Sequence, residues 1–165
     1  MNPNQKTERA FPFDPSYCDS NSPQLTLPFP PSADRITGPP TLLVVDDDPF
    51  FREIQTRALC LHGYTVLQAR DAAEALRLAA ATPINLLLTD FVMPEVDGLE
   101  LTRRFRALYP KIPVLMVSGS LPLLQGRVEN LDRFALLEKS SAFGELLGKV
   151  RSLLTEVSPL PIRTS

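Results

Sequence analysis

From Thr41 onward, short apolar runs alternate with segments whose apolar residues recur at spacings of three and four. "TLLVV" (41–45) reads as a strand, and the segment after Pro49 puts Phe51, Ile54, Ala58 and Leu61 on one helical face. "YTVLQ" (64–68) is a second strand, followed by a helix that opens at Asp71 with Glu74 three residues on, the spacing of a capping box. "INLLLT" (84–89) is the third strand, and Asp97 with Glu100 repeats that spacing before a helix bearing Leu101, Phe105 and Leu108. "IPVLMVS" (112–118) is the fourth strand and "FALLE" (134–138) the fifth. Between them Pro122 could start a helix that Gly126 interrupts. Phe143, Leu146, Leu147, Val150, Leu153 and Leu154 stripe a last helix. Strands alternating with helices imply parallel pairing through crossovers, with helices on both faces of one sheet. Such strands are covered twice, which is why they are apolar throughout rather than at every second position.

Residues 1–40 break this pattern. They hold nine of the 17 prolines and show no helix or strand period, so they read as a disordered arm with Phe11, Phe13, Leu27 and Phe29 as its apolar points. Residues 156–165 read as a flexible tail, and no second folded domain is expected after them. The composition, 44% hydrophobic and 22% charged over 165 residues, is that of one globular domain. A net charge of -2 with no long Lys/Arg block argues against nucleic acid as a partner, and Arg103, Arg104 and Arg106 read as a solvated helix face. No signal-type or membrane-spanning apolar run occurs, and Cys18 and Cys60 make no ligand spacing. A cytoplasmic protein without a membrane partner is the expectation.

Open parallel sheets bind ligands at the carboxyl ends of their strands. There this chain places Asp46, Asp47 and Asp48 after the first strand, Asp90 after the third, Ser118 after the fourth and Lys139 after the fifth. Converging carboxylates repel unless a cation neutralises them, and Mg2+ suits a site where one or two carboxylates and a phosphate share the shell. A carboxylate can also attack a phosphoryl group, and metal, ammonium and hydroxyl then neutralise its oxygens. Asp90 is the candidate acceptor. Other polar residues have structural explanations: Asp48 before Pro49, Asp71 and Asp97 as helix caps, and His62 beside the negative end of the first helix dipole.

"LLVVDDDP", "LLLTDFVMPEVDG", "PVLMVSGS" and "LLEKSSAF" stand in the order of a known family. Over about Thr41 to Leu154 the chain resembles the receiver domain of two-component response regulators, here a receiver spanning 41–155. The resemblance implies a flavodoxin-like, doubly wound sheet of order 2-1-3-4-5. It implies Asp90 as phosphoacceptor, Asp46 and Asp47 as the acid pair for Mg2+, and Val92 as a metal ligand through its backbone carbonyl. Ser118 would bond the phosphoryl oxygen and Lys139 would pair with it. The implied donor is a histidine kinase or a histidine phosphotransfer protein, and the implied output is contact with a downstream protein. Such a chain is not an enzyme beyond its own phosphorylation and dephosphorylation.

The chain departs from the family in two places. Ser140 stands where a proline, often in a cis peptide, usually follows the lysine, and Leu136 stands at a position usually aromatic. The "SGS" run and the weak segment after it are more similar to receivers of hybrid histidine kinases than to transcriptional regulators. The alternative is a pseudo-receiver, a binding module of this fold that works without phosphorylation. A phosphatase or nucleotide enzyme on a similar sheet is disfavoured, because GxGxxG and GxxxxGK[ST] are absent and Val92 stands where a second catalytic carboxylate would be.

Overall fold

A computed structural model describes residues 38–119, Leu124 and residues 132–155. The readings of residues 1–37 as an arm, of Pro122 and Gly126 in the weak segment, and of 156–165 as a tail lie outside the described residues. The described elements are β1 (Thr41–Val45), α1 (Pro49–Leu61), β2 (Thr65–Ala69), α2 (Ala72–Ala81), β3 (Leu86–Asp90), α3 (Gly98–Leu108), β4 (Val114–Ser118), β5 (Phe134–Glu138) and α4 (Phe143–Thr155). All strand pairs are parallel and the sheet order is β2-β1-β3-β4-β5, the flavodoxin-like arrangement expected.

Successive side chains of a strand point to opposite faces, and here both faces are dry. Leu42, Val44, Leu86, Leu88, Leu115 and Val117 pack against Leu59 of α1 and Leu146, Leu147, Val150 and Leu153 of α4. Leu43, Val45, Leu87 and Val114 pack on the other face against Ala72, Ala75 and Ala79 of α2 and Leu101 and Phe105 of α3. The central strands β3 and β4 are buried at every position, whereas β2 and β5 at the edges are half-exposed. A third, smaller cluster joins Phe91, Leu99, Met116 and Leu124.

The caps form as the sequence spacing predicts. Asp48 accepts from the amides of Phe50 and Phe51, with Pro49 at the first helical position. Asp71 accepts from the Glu74 amide, and the Glu74 carboxylate reaches back to the Arg70 amide, one residue beyond a standard box. At α3 only half of the box forms: Asp97 accepts from the Glu100 amide, while the Glu100 carboxylate turns to Arg103 and Arg104. His62 caps α1 with Nδ1 against the Ala58 carbonyl, and Gly63 leaves the helix at φ 83°.

Three details differ from the sequence pattern. Strands β3 and β4 begin two residues later than the apolar runs and β2 one residue later, because Ile84 and Ile112 fill the core from the preceding loops. Leu61, Leu108 and Phe143, assigned to apolar stripes, are exposed: each sits at a helix end, beyond the reach of the sheet. On α1 the buried line runs through Gln55, Thr56 and Leu59. Arg106 also leaves the solvated face, since its guanidinium donates to the Asp132 carbonyl and burial lowers its pKa.

Candidate functional site

The sheet register builds the site. Val45 pairs with Thr89, so the next residues, Asp46 and Asp90, emerge side by side at the carboxyl ends of the two central strands. Asp90 pairs with Val117, which puts Ser118 one step further along the neighbouring strand. The Lys139 amide donates to the Ser118 carbonyl at 2.8 Å, so the turn after β5 is tied to the end of β4. Asp46, Asp90 and Ser118 are all buried, and Asp47 is exposed.

Lys139 joins the two acids. Its ammonium donates to Asp90 Oδ2 at 2.7 Å and lies 3.0 Å from Asp46 Oδ2. Burial pushes the Asp46 carboxyl above the usual range, and the bonds from Lys139 and from the Asp48 amide only partly offset this. For Lys139 burial acts downward, but the bonds to Asp90 and Asp46 and their charges outweigh it, so its pKa is raised and the ammonium stays charged. The Asp46 backbone is held as well: its amide donates to the Ala69 carbonyl at 3.2 Å and its carbonyl accepts from Arg52 at 2.5 Å.

Asp46, Asp47 and Asp90 each offer a carboxylate oxygen within 4.8 Å of the others, a group able to hold a metal ion. The three carboxylates outnumber the Lys139 ammonium and the Arg52 guanidinium on the Asp46 carbonyl, so the cluster keeps a net negative charge that a bound cation would offset. Asp90 Oδ1 is buried and has no hydrogen-bond partner among the described residues. An uncompensated buried carboxylate oxygen is costly, and a hard cation with oxygen ligands satisfies it, so the donor set fits Mg2+.

The sequence profile of the response regulator receiver domain matches residues 42–151. The chain belongs to that family. Response regulator MprA of Mycobacterium sp. (strain KMS) is 39% identical over 123 residues, which are 73% of this chain and 53% of MprA. This receiver thus spans about half the length of the curated relatives it matches. The crystal structure of the receiver domain from hybrid histidine kinase CckA aligns with TM-score 0.59 and 30% identity over 69% of this chain and 98% of that one. Response regulator TrrA from Thermotoga maritima, in complex with Mg2+-BeF, aligns with TM-score 0.63 and 27% identity over 70% of this chain and 99% of that one. Receiver domains are signalling modules that typically bind Mg2+ at an acidic cluster and interact with histidine kinases or phosphotransfer proteins. Among the described residues no helix of this receiver is long and apolar enough to cross a membrane.

All the strand-end residues singled out in the sequence reach this rim. Asp46, Asp90 and Lys139 are in direct contact, Asp47 is within metal-sharing distance, and Ser118 adjoins through its strand. Val92 lies in the loop after β3 with its side chain exposed. Among the described residues there is no cis peptide, so Lys139–Ser140 is trans, and Leu136 is half-buried beside the third cluster. Sequence reasoning missed Gly98, Arg52 and Phe51. The Asp-Gly pair at 97–98 was a visible signal for the first; the helical period puts Phe51 on the apolar face of α1, whereas it lies against Lys139 and in none of the three apolar clusters, and nothing in the sequence pointed to Arg52.

Proposed function

We propose that this receiver takes a phosphoryl group onto Asp90 from a histidine kinase or histidine phosphotransfer protein and passes its state on by contact with a downstream protein, in the cytoplasm. The observation that carries the reading is Lys139 bridging Asp90 and Asp46, with Asp90 Oδ1 left as a buried, unpartnered oxygen.

In this reading an Asp90 carboxylate oxygen attacks phosphorus as the bond to the donor imidazole nitrogen breaks. The bonding pair returns to that nitrogen, the ring leaves neutral if protonated at its other nitrogen, and an acyl phosphate remains. Lys139 moves no proton. Its charge steadies one phosphoryl oxygen while the Ser118 hydroxyl donates to another. Asp46, Asp47, Asp90 and the Val92 carbonyl would hold Mg2+, which neutralises charge developing on the transferred group. Burial of Asp46 and Asp90 keeps water from solvating these charges, which strengthens each interaction.

Incubation with acetyl phosphate and Mg2+, followed by intact mass measurement, tests the reading. A single phosphate adduct that disappears in Asp90→Asn and with chelator is expected. Its absence with acetyl phosphate and with a panel of purified histidine kinases would leave a phosphorylation-independent binding module instead.

A further inference from the structure

The Lys139 ammonium has three directions in which to donate, and among the described residues three groups stand around it. Two are Asp90 and Asp46, and the third is the ring of Phe51, whose centroid lies 4.8 Å from Nζ. That is within the range of a cation–π contact. Phe50 packs edge-on against Phe51 at 6.1 Å and 82°. Among the described residues Phe51 belongs to none of the three apolar clusters, so core packing does not account for it.

We infer that Phe51 is a positioning residue for Lys139, its ring face holding the ammonium against the two carboxylates of the site. The inference rests on the proposed function and concerns the side chain that would steady the transferred group. A lysine ammonium on four rotatable bonds is otherwise free to swing out and be hydrated, since it is a strongly hydrated point charge. An aliphatic residue at position 51 would fill similar space but has no negative face to offer. A ring also differs from a third carboxylate. It attracts the ammonium without fixing one hydrogen-bond direction, so Lys139 can turn from Asp90 Oδ2 toward an arriving phosphoryl oxygen while staying over the ring. The side chain of Lys139 is only 17% exposed, and its ammonium lies 4.8 Å from the Phe51 ring centroid.

The test is a double-mutant cycle on the full chain. Uptake of phosphate from acetyl phosphate with Mg2+ is timed for wild type, Phe51→Leu and Phe51→Tyr, and for both substitutions in a Lys139→Ala background, with thermal melts to verify folding. Phe51→Leu is expected to slow uptake by about three- to tenfold, the range a partly buried cation–π contact supports. Phe51→Tyr should stay within about twofold of wild type because it keeps the ring. In the Lys139→Ala background the Leu and Tyr variants should not differ. Nitrogen-15 spectra of the Lys139 ammonium add a readout that needs no phosphoryl transfer: a sheltered signal in wild type and Phe51→Tyr, broadened by solvent exchange in Phe51→Leu. An unchanged rate and ammonium signal in Phe51→Leu would overturn the inference, as would a Tyr variant as slow as Leu or an equal loss without Lys139. If wild type takes up no phosphate, the proposed function fails, and the ammonium spectra alone still decide whether Phe51 holds Lys139.

Discussion

Gly98 sits against the backbone of Asp90: a Cβ at position 98 would lie 1.9 Å from the Asp90 carbonyl oxygen. The Gly98 amide donates to the Phe91 carbonyl at 2.9 Å, so α3 starts in contact with the end of β3. Within α3 the Thr102 hydroxyl donates to the Gly98 carbonyl, and Leu99 and Leu101 are buried directly after the loop.

Gly98→Ala should therefore act on stability and site together. The clashing atom is backbone, so the loop from Phe91 to Asp97 must move, at a cost of at least the roughly 1–3 kcal/mol of an overpacked core position. Denaturant unfolding should show the loss, and calorimetric Mg2+ titration should show weakened binding, because Asp90 adjoins the displaced segment and Val92 lies within it.

Asp46→Asn should separate stability from metal binding. Burial raises the Asp46 pKa, so at neutral pH its ionised form costs folding free energy that the Lys139 bond does not fully return. In chelator the Asn variant should melt higher than wild type. A raised folded pKa makes this cost appear as pH rises from the unfolded pKa through the folded one, so the difference should shrink on acidification. With Mg2+ added, wild type should gain stability and the variant should gain far less.

Asp71→Ala is expected to cost about 1 kcal/mol at neutral pH, the usual value of a lost N-cap. The Glu74 amide, the largest influence, holds the Asp71 carboxyl below its ordinary pKa. A lowered folded pKa means that the ionised cap stabilises above the unfolded pKa and that this contribution is lost as pH falls through the folded one. Unfolding curves of wild type and variant should therefore converge in acid.

Phe105→Ala should cost about 3–5 kcal/mol in denaturant unfolding, since Phe105 is fully buried between α3 and the sheet. Its effect on the site should be small, because it packs with Ala79, Ile84 and Tyr109, near the opposite ends of the strands.

Much of this was legible along the chain because it is local. The runs around Leu43, Leu87 and Leu115 are apolar at every position because both sheet faces are covered, and Asp48, Asp71 and Asp97 cap helices through amides two or three residues away. Helix ends were harder to read. The 3.6-residue period carries on through Leu61 and Leu108, while the sheet that would bury them has already ended.

The sequence by itself determined the alternation of strands and helices and which polar residues stand at strand ends, since both follow from backbone periodicity and short-range hydrogen bonding. Tertiary structure decided what those residues do to one another. The register that sets Asp46 beside Asp90, the Lys139 ammonium reaching both from 49 residues beyond Asp90, the ring of Phe51 against it, and Gly98 against the Asp90 carbonyl are contacts between elements. Their distances depend on how a twisted sheet and its helices pack, and no spacing along a single chain encodes them.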